Sequence, residues 1–463
     1  MKKSKWFGTR AFYAMVLSVT IPIVIQNGIT NFVNLLDNIM VGRVGTEEMS
    51  GVAIANQLIM VFNLGIFGGI SGAGIFTAQF YGHGDLKGVR STFHIKLFTG
   101  VFIAAAAILI FLLWGEPLIG LFLQGDSDVG DASAVAAYGM KYLRISLIGF
   151  LPFAAVQVYA GTLKECSETV LPMKASITAV LTNLVLNYIF IFGKLGFPAM
   201  GGAGAAIATV ISRYVELIFV VVGTHRNTRK YAFAQGLYRE LRIPRELLGN
   251  VVKKGLPLLF NELLWSAGMA MLNQSYSLRG LSVVAALNIT STIVNLFSIV
   301  MMAMGNTVAI LVGQALGSGD MEKAKDVDRK LIVFSVGVSG VIGALLAVTA
   351  PAIPKIYNTE AAVQALAASL MVISGVTMPI NAFSHASYFT LRSGGKTVIT
   401  FLFDSAYTWV ITVPLAYVLA HFTLLPIIPV YWIVQLSNLI KCVMGYIMVK
   451  KGIWVNNIVA ENG

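Results

Sequence analysis

Charge is scarce in this 463-residue chain: Lys and Arg number 33, Asp and Glu 21, together 12% of the sequence. Soluble domains carry about 25%, and 57% of the residues here are apolar. That excludes a water-soluble fold of this length and indicates an integral membrane protein. Cysteine is nearly absent. Cys166 and Cys442 both fall near the expected cytoplasmic side, which excludes a disulfide-stapled scaffold. Fibrous and disordered classes are excluded by the same composition. The five histidines (His83, His94, His225, His385 and His421) show no metal-ligand spacing, and neither HExxH nor GxSxG occurs. A membrane enzyme would need a catalytic constellation, and none is present. The net charge is +12, but the basic residues fall in alternating short loops, so nucleic acid is a poor partner.

What the chain has in quantity is long apolar runs. A helix crosses the bilayer with ~20 apolar residues. Uncharged runs cover Ala11–Leu36, Met49–Gly84, Leu97–Gly115, Ile145–Leu163, Ala175–Gly193, Gly280–Gly319, Leu331–Pro354 and Ala361–Leu391. Four more spans emerge if one or two internal charges are admitted: Leu195–Val222, Gly255–Tyr276, Thr397–Ala420 and Pro426–Val449. The expectation is twelve transmembrane helices in an all-α fold. The basic start of the chain, Met1 to Arg10, leads into the first run without a small-residue cleavage site, and reads as a retained span. With both termini cytoplasmic, only Arg43, Lys141, Arg144, Lys194, Arg279 and Lys355 fall in outer loops. The remaining Lys and Arg, apart from Arg213 and Lys441 within spans, fall inside. This is the asymmetry the positive-inside rule requires, and it suits a multi-pass protein of the cell membrane.

The two halves resemble each other. Pro22 precedes Asp85 by the same interval as Pro257 precedes Asp320. Gln79-Phe-Tyr-Gly82-His-Gly84-Asp85 matches Gln314-Ala-Leu-Gly317-Ser-Gly319-Asp320, and Thr162-Leu163-Lys164 echoes Thr390-Leu391-Arg392. Residues 1–224 form one six-span lobe, 225–248 a basic cytoplasmic linker and 249–463 a second lobe. Six is even, so the lobes share one orientation and are related by an axis along the membrane normal, with a substrate site expected between them. The repeated Gly-x-Gly-Asp reads as a tight turn and helix cap. No strand precedes it, so it is not a dinucleotide fingerprint.

Ionisable groups inside a membrane are costly and mark function. Arg213 and Glu216, three apart on span 6, can pair on one face. Asp404 and Lys441, on spans 11 and 12, lie at matching depths and can pair between helices. Both pairs read as structural. Asp37, toward the outer end of span 1, and Glu262, near mid-depth of span 7, have no basic neighbour within one turn of their own helices, so they carry the functional expectation. A carboxylate in a poorly hydrated cavity can take up and release a proton. It can also bind Na⁺ if neutral oxygens complete the shell. Asn183 and Asn187 share a face of span 5, and Thr209 offers a hydroxyl on span 6; these could equally be interhelical glue. Trp265, Tyr276 and Met301 are candidate cavity surfaces for organic cations, with plain packing as the alternative.

These residues resemble a known family. Pro22…Gln26…Asn31…Asp37-Asn-Ile-Met-Val-Gly42-Arg-Val-Gly45 is similar to the first span of the multidrug and toxic compound extrusion (MATE) transporters. So are Gly202-Ala-Gly-Ala-Ala-Ile-Ala-Thr209-Val-Ile-Ser-Arg213 and Lys450-Lys-Gly-Ile-Trp454-Val. The resemblance implies two six-helix lobes in a V around a central cavity. It also implies a monomeric antiporter with no cofactor, exporting cationic amphipathic compounds by alternating access in exchange for H⁺ or Na⁺. On this likeness Asp37, Asn183, Asn187 and Thr209 form a cation-coupling site, with Asp37, Asn183 and Asn187 as Na⁺ ligands if Na⁺ is the ion. Glu262 falls on the span-7 carboxylate of the NorM-like branch. Asn381 stands where that branch often has a second acid, which shifts the expected coupling to the first lobe, with H⁺ ahead of Na⁺. The alternative is a lipid-linked oligosaccharide flippase of related fold. Such a protein would need a basic cavity, whereas the candidates here are mostly acidic.

Overall fold

The computed structural model describes residues 6–123, 131–239, 241 and 243–460, and of Asn38 the backbone alone. Among the described residues the secondary structure is helical, with no strand. Twelve helices are long and apolar enough to cross a membrane. They are α1 (Arg10–Gly42), α2 (Thr46–His83), α3 (Leu86–Leu123), α4 (Ala132–Glu165), α5 (Val170–Phe192), α6 (Gly201–Arg226), α7 (Arg245–Ser277), α8 (Leu281–Gly317), α9 (Met321–Thr349), α10 (Ala361–Ser393), α11 (Thr397–Phe422) and α12 (Ile427–Lys450). All twelve expected spans are present. Most run past the apolar stretches that announce them, because a helix continued into water keeps its backbone hydrogen bonds. Lys141 and Arg144, expected in an outer loop, lie within α4, where Arg144 reaches Glu116 of α3 at 3.2 Å.

Two compact units are present. One comprises Ile25–Thr77 and Leu86–Val251; the other Met1–Val24, Ala78–Asp85 and Val252–Gly463. In the first, α4 is interrupted by a 3-10 turn at Leu147–Gly149. Pro152 explains it: proline lacks an N–H and its ring clashes with the carbonyl four residues back. That carbonyl, of Ile148, accepts from the Tyr214 hydroxyl of α6 at 3.5 Å. In the second unit, the start of α1 packs through Val16, Val19 and Ile23 into a core with Val308, Val312 and Leu316 of α8. The Thr20 and Thr307 hydroxyls meet there at 2.8 Å. The Asp320 cap is as the sequence suggests: its side chain accepts from Lys323 N at 2.9 Å, after Gly319 at φ +80°.

The repeated Thr-Leu-Lys/Arg motif meets a charged side chain in both units, a lysine in one and an aspartate in the other. Thr162 accepts from the fully buried Lys96, which also pairs with Glu165. Thr390 donates to the buried Asp328 at 2.5 Å. The basic third residue stands near an intramembrane acid each time, Lys164 near Glu216 and Arg392 near Glu262.

Candidate functional site

The first unit holds a cavity of about 540 Å³ between α1, α2, α4, α5 and α6. Small residues build one wall. From Gly201 to Ala208 every residue of α6 except Ile207 is buried, so α6 approaches α5 closely. That approach sets Thr209 beside Asn183, whose Nδ2 donates to Thr209 Oγ1 at 3.2 Å. Asn183 and Asn187 are 6% and 1% exposed, on the face of α5 that looks inward. Asn187 Nδ2 donates to Asp37 Oδ1 at 2.7 Å and to Asn183 Oδ1 at 3.1 Å. With the Asn183 amide turned over, it donates instead to Asp37 Oδ2 at 2.9 Å, and its oxygen accepts from Thr209 Oγ1 at 3.2 Å. The structure thus brings Asp37, Asn183, Asn187 and Thr209 into one cluster.

Two features of that cluster have chemical consequences. Among the described residues, Asp37 forms no ion pair with Lys or Arg; its hydrogen-bond partners are neutral amides. Among the described residues, Asn187 Oδ1 is buried with no hydrogen-bond partner. A buried acceptor without a donor is costly. Among the described residues no group of three His, Cys, Asp or Glu could hold a metal ion.

One turn further along α6 the cavity carries charge of both signs. Arg213 Nη1 donates to Glu216 Oε2 at 3.0 Å, and its guanidinium lies 5.0 Å from the centre of the Phe153 ring. Asn34, Asn56, Asn63 and Tyr142 also line the space. The sequence reading passed over these. Asn34 had a signal, since it lies one turn before Asp37 and shares its face; the α2 asparagines and Tyr142 had none beyond being polar within a span.

The second unit treats its acids differently. Asp404 is paired with Lys441 at 2.5 Å, as the matched depths suggested. It sits in a π-helical turn of α11, Leu402–Ala406. Such turns widen the backbone, and the Ser405 N–H there donates to Asn261 Oδ1 at 3.3 Å. Asn261 Nδ2 reaches Asp404 Oδ2 and the Tyr388 hydroxyl, both at 3.2 Å. Glu262 is half-buried beside that Tyr388 hydroxyl, with Arg392 of α10 in its electrostatic surroundings. The expectation of an unaccompanied Glu262 holds only along its own helix; the cation comes from α10, which helical spacing within α7 cannot show. Trp265 is 38% exposed and Met301 half-buried. Asn381 accepts from Asn438 Nδ2 at 3.1 Å. Tyr276, read as a cavity surface, is only 2% exposed; it packs 5.5 Å from Tyr431 inside an apolar cluster. Its position near the end of α7 puts it among the core residues of α8, α10 and α12.

Twelve candidate spans in two related halves, with carboxylates and amides inside them, define an integral membrane protein built as a repeat. The MatE family model matches residues 22–189 and again 257–418, opening each time on a proline that the internal repeat aligns. The chain therefore belongs to the MatE family of multidrug efflux transporters. It is 24% identical over 436 residues to the probable multidrug resistance protein NorM of Thermotoga maritima, covering 92% of this chain and 89% of that one. To the NorM of Bacillus subtilis it is 24% identical over 438 residues, covering 93% of each. Among solved structures it is similar to an outward-facing multidrug resistance MATE transporter of the MOP superfamily, with TM-score 0.84, 21% identity and 95% of each chain covered. It is also similar to a mutant of the Vibrio cholerae MATE transporter VcmN, with TM-score 0.85, 19% identity, and 96% and 97% covered. At these identities the structural likenesses establish the fold.

Proposed function

We propose that the chain is an antiporter of the cell membrane, acting as a monomer with both termini cytoplasmic. It exports cationic amphipathic compounds and takes up H⁺, in preference to Na⁺, at Asp37. The observation that carries this reading is the pairing state of Asp37, held by neutral donors beside the unpartnered Asn187 Oδ1, while Asp404 has an ammonium of its own. A carboxylate with no fixed cation is free to exchange a small one. The proton is preferred because one carboxylate suffices to carry it, where a sodium ion would need several oxygen ligands around it.

In this cycle an aromatic cation enters from the cytoplasm and the protein reorients outward. Protonation of Asp37 then removes the charge that holds the drug, and the proton leaves inward. One charge moved across ~100 mV is worth ~2.3 kcal/mol, about a 50-fold gradient at ~1.4 kcal/mol per tenfold. Exchange of one H⁺ for one monovalent cation moves no net charge and draws on the pH difference alone. The test is the drug susceptibility of a hypersensitive host. The wild-type chain should raise resistance to cationic dyes, and Asp37→Asn, at equal membrane abundance, should not. Equal resistance from both would remove Asp37 from the mechanism.

A further inference from the structure

The basic segment between the two halves is only partly a tether. Residues 231–238 fold back on the first unit. A 3-10 turn at Ala232–Ala234 opens this stretch, and Tyr231, Phe233, Ala234 and Leu237 are all buried. The Phe233 ring lies 6.5 Å from that of Phe93 on α3. Arg90 Nε of α3 donates to the Phe233 carbonyl at 3.2 Å, and His94 Nε2 to the Leu237 carbonyl at 2.7 Å. Beyond them the Tyr238 hydroxyl meets that of Tyr159 on α4 at 2.5 Å, and Tyr159 meets His225 Nε2 of α6 at 3.0 Å. Buried side chains and paired carbonyls make this stretch a docked strap.

Docking sets the reach of the link. Between Tyr238 and the start of α7 at Arg245 lie residues 239–244, about 20 Å of chain at full extension. With the strap free, the link runs over residues 227–244 from the end of α6, about 60 Å. His94 is placed to choose between the two. A carbonyl only accepts, so His94 Nε2 carries a proton. The residue is 1% exposed, and among the described residues its Nδ1 is buried with no hydrogen-bond partner. A second proton on the ring would bury an N–H without an acceptor and a charge without a counter-ion, which costs more than a bare nitrogen. The acids on neighbouring turns hold other cations: Glu165 pairs with Lys96 of α3, and Glu168 with Lys230 at the entry to the strap at 2.8 Å. Arg90 and the exposed Arg226 add positive charge. His225 is engaged by Tyr159 and stacks on Tyr238, with ring centres 5.8 Å apart.

We infer that residues 231–238 are a pH-gated strap, which docks on α3, α4 and α6 while His94 is neutral and lets go when His94 takes a proton. In the released state water reaches the ring and a charge on it is tolerated. Docking is therefore full above the range of a solvated histidine and weakens as pH falls below about 6.5. A single proton limits that loss to about tenfold per pH unit. In an exporter that brings protons into the cell, acidification of the cytoplasm would lengthen the link between the halves. That purpose rests on the export reading; the switch itself does not.

The experiment is hydrogen–deuterium exchange on the purified full chain in detergent, followed at the amides of Ala234, Gln235 and Leu237, which donate within the strap at 2.9, 3.2 and 3.3 Å. Protection is taken relative to the intrinsic exchange rate at each pH. From about pH 8 to about pH 5, across the histidine range, wild-type protection should hold level and then fall, by up to about tenfold per unit. His94→Gln, whose amide can donate to the Leu237 carbonyl and does not titrate, should stay protected throughout. His225→Gln should keep the wild-type fall, and it decides the matter if His94→Gln does not fold. Level protection in the wild type, a fall that persists in His94→Gln, or a fall abolished in His225→Gln would each overturn the proposal. Efflux of a cationic dye from vesicles is measured alongside. A pH-dependent strap in a wild type that exports no dye would overturn the export reading and keep the strap.

Discussion

Gly82 of α2 and Gly317 of α8 are packed reciprocally: a Cβ on Gly82 would land in the backbone of Gln314, and one on Gly317 in the backbone of Gln79. Each glycine is the fourth residue of the repeated Gln-x-x-Gly, so the two copies of one motif are interlocked. Gln79 ties the junction further. Its Nε2 donates to the Ser393 carbonyl at 2.9 Å, and its Oε1 accepts from Ile458 N at 2.9 Å. Gly82→Ala and Gly317→Ala are each expected to destabilise the protein by about 1–3 kcal/mol, as overpacking against backbone does. Thermal unfolding in detergent measures this. The double variant should lose less than the sum, because both changes pry apart the same contact. Full additivity would show the two sites to be independent.

Asp404 and Lys441 offer a second stability test. Their side chains are 16% and 12% exposed, and removing one member of such a pair costs about 3–5 kcal/mol by leaving the other charge stranded. Asp404→Asn should thus unfold well before the wild type, and Asp404→Asn with Lys441→Met should recover much of the loss. A double variant as unstable as the single would show that hydrogen bonds from Asn261, and not charge balance, hold this region.

Much of the fold was legible in the sequence because the membrane enforces it. Apolar runs cannot avoid being spans, and the offset prolines and Gly-x-Gly-Asp copies exposed the duplication. The cluster of Asp37, Asn183, Asn187 and Thr209 could also be found, since polar residues at helical spacing inside a span are few. What escaped depends on contacts between distant helices. Arg392 reaches the surroundings of Glu262 from α10. Asn261 braces a π-helical turn of α11. Tyr276 turns into a core while Trp265, three helical turns away from it, stays exposed. Helical periodicity orders residues around one axis and says nothing about which neighbour that face meets.

Because Arg392 shares the surroundings of Glu262, Glu262→Gln is expected to lower efflux of cationic dyes by less than tenfold, whereas Asp37→Asn should abolish it. Initial rates in everted vesicles, compared for a cationic and a neutral compound, check this. Complete loss in Glu262→Gln for the cation alone would make the second unit the principal substrate-charge site.

Asn187→Leu removes both the donor to Asp37 and the unpartnered oxygen. A hydrogen bond to a charged group is worth about 1.5–3 kcal/mol, so exchange should slow at least about tenfold, with a lower unfolding temperature to match the lost bond. Unaltered exchange would mean that Asn187 serves packing between α5 and α1.

The most direct test is dye efflux from proteoliposomes with a proton gradient or a sodium gradient imposed separately, on the wild type and on Asp37→Asn. An inward-releasing carboxylate at Asp37 predicts efflux driven by the proton gradient in the wild type, little from sodium, and none from either in the variant. Proton-driven efflux at the wild-type rate in Asp37→Asn would contradict the account.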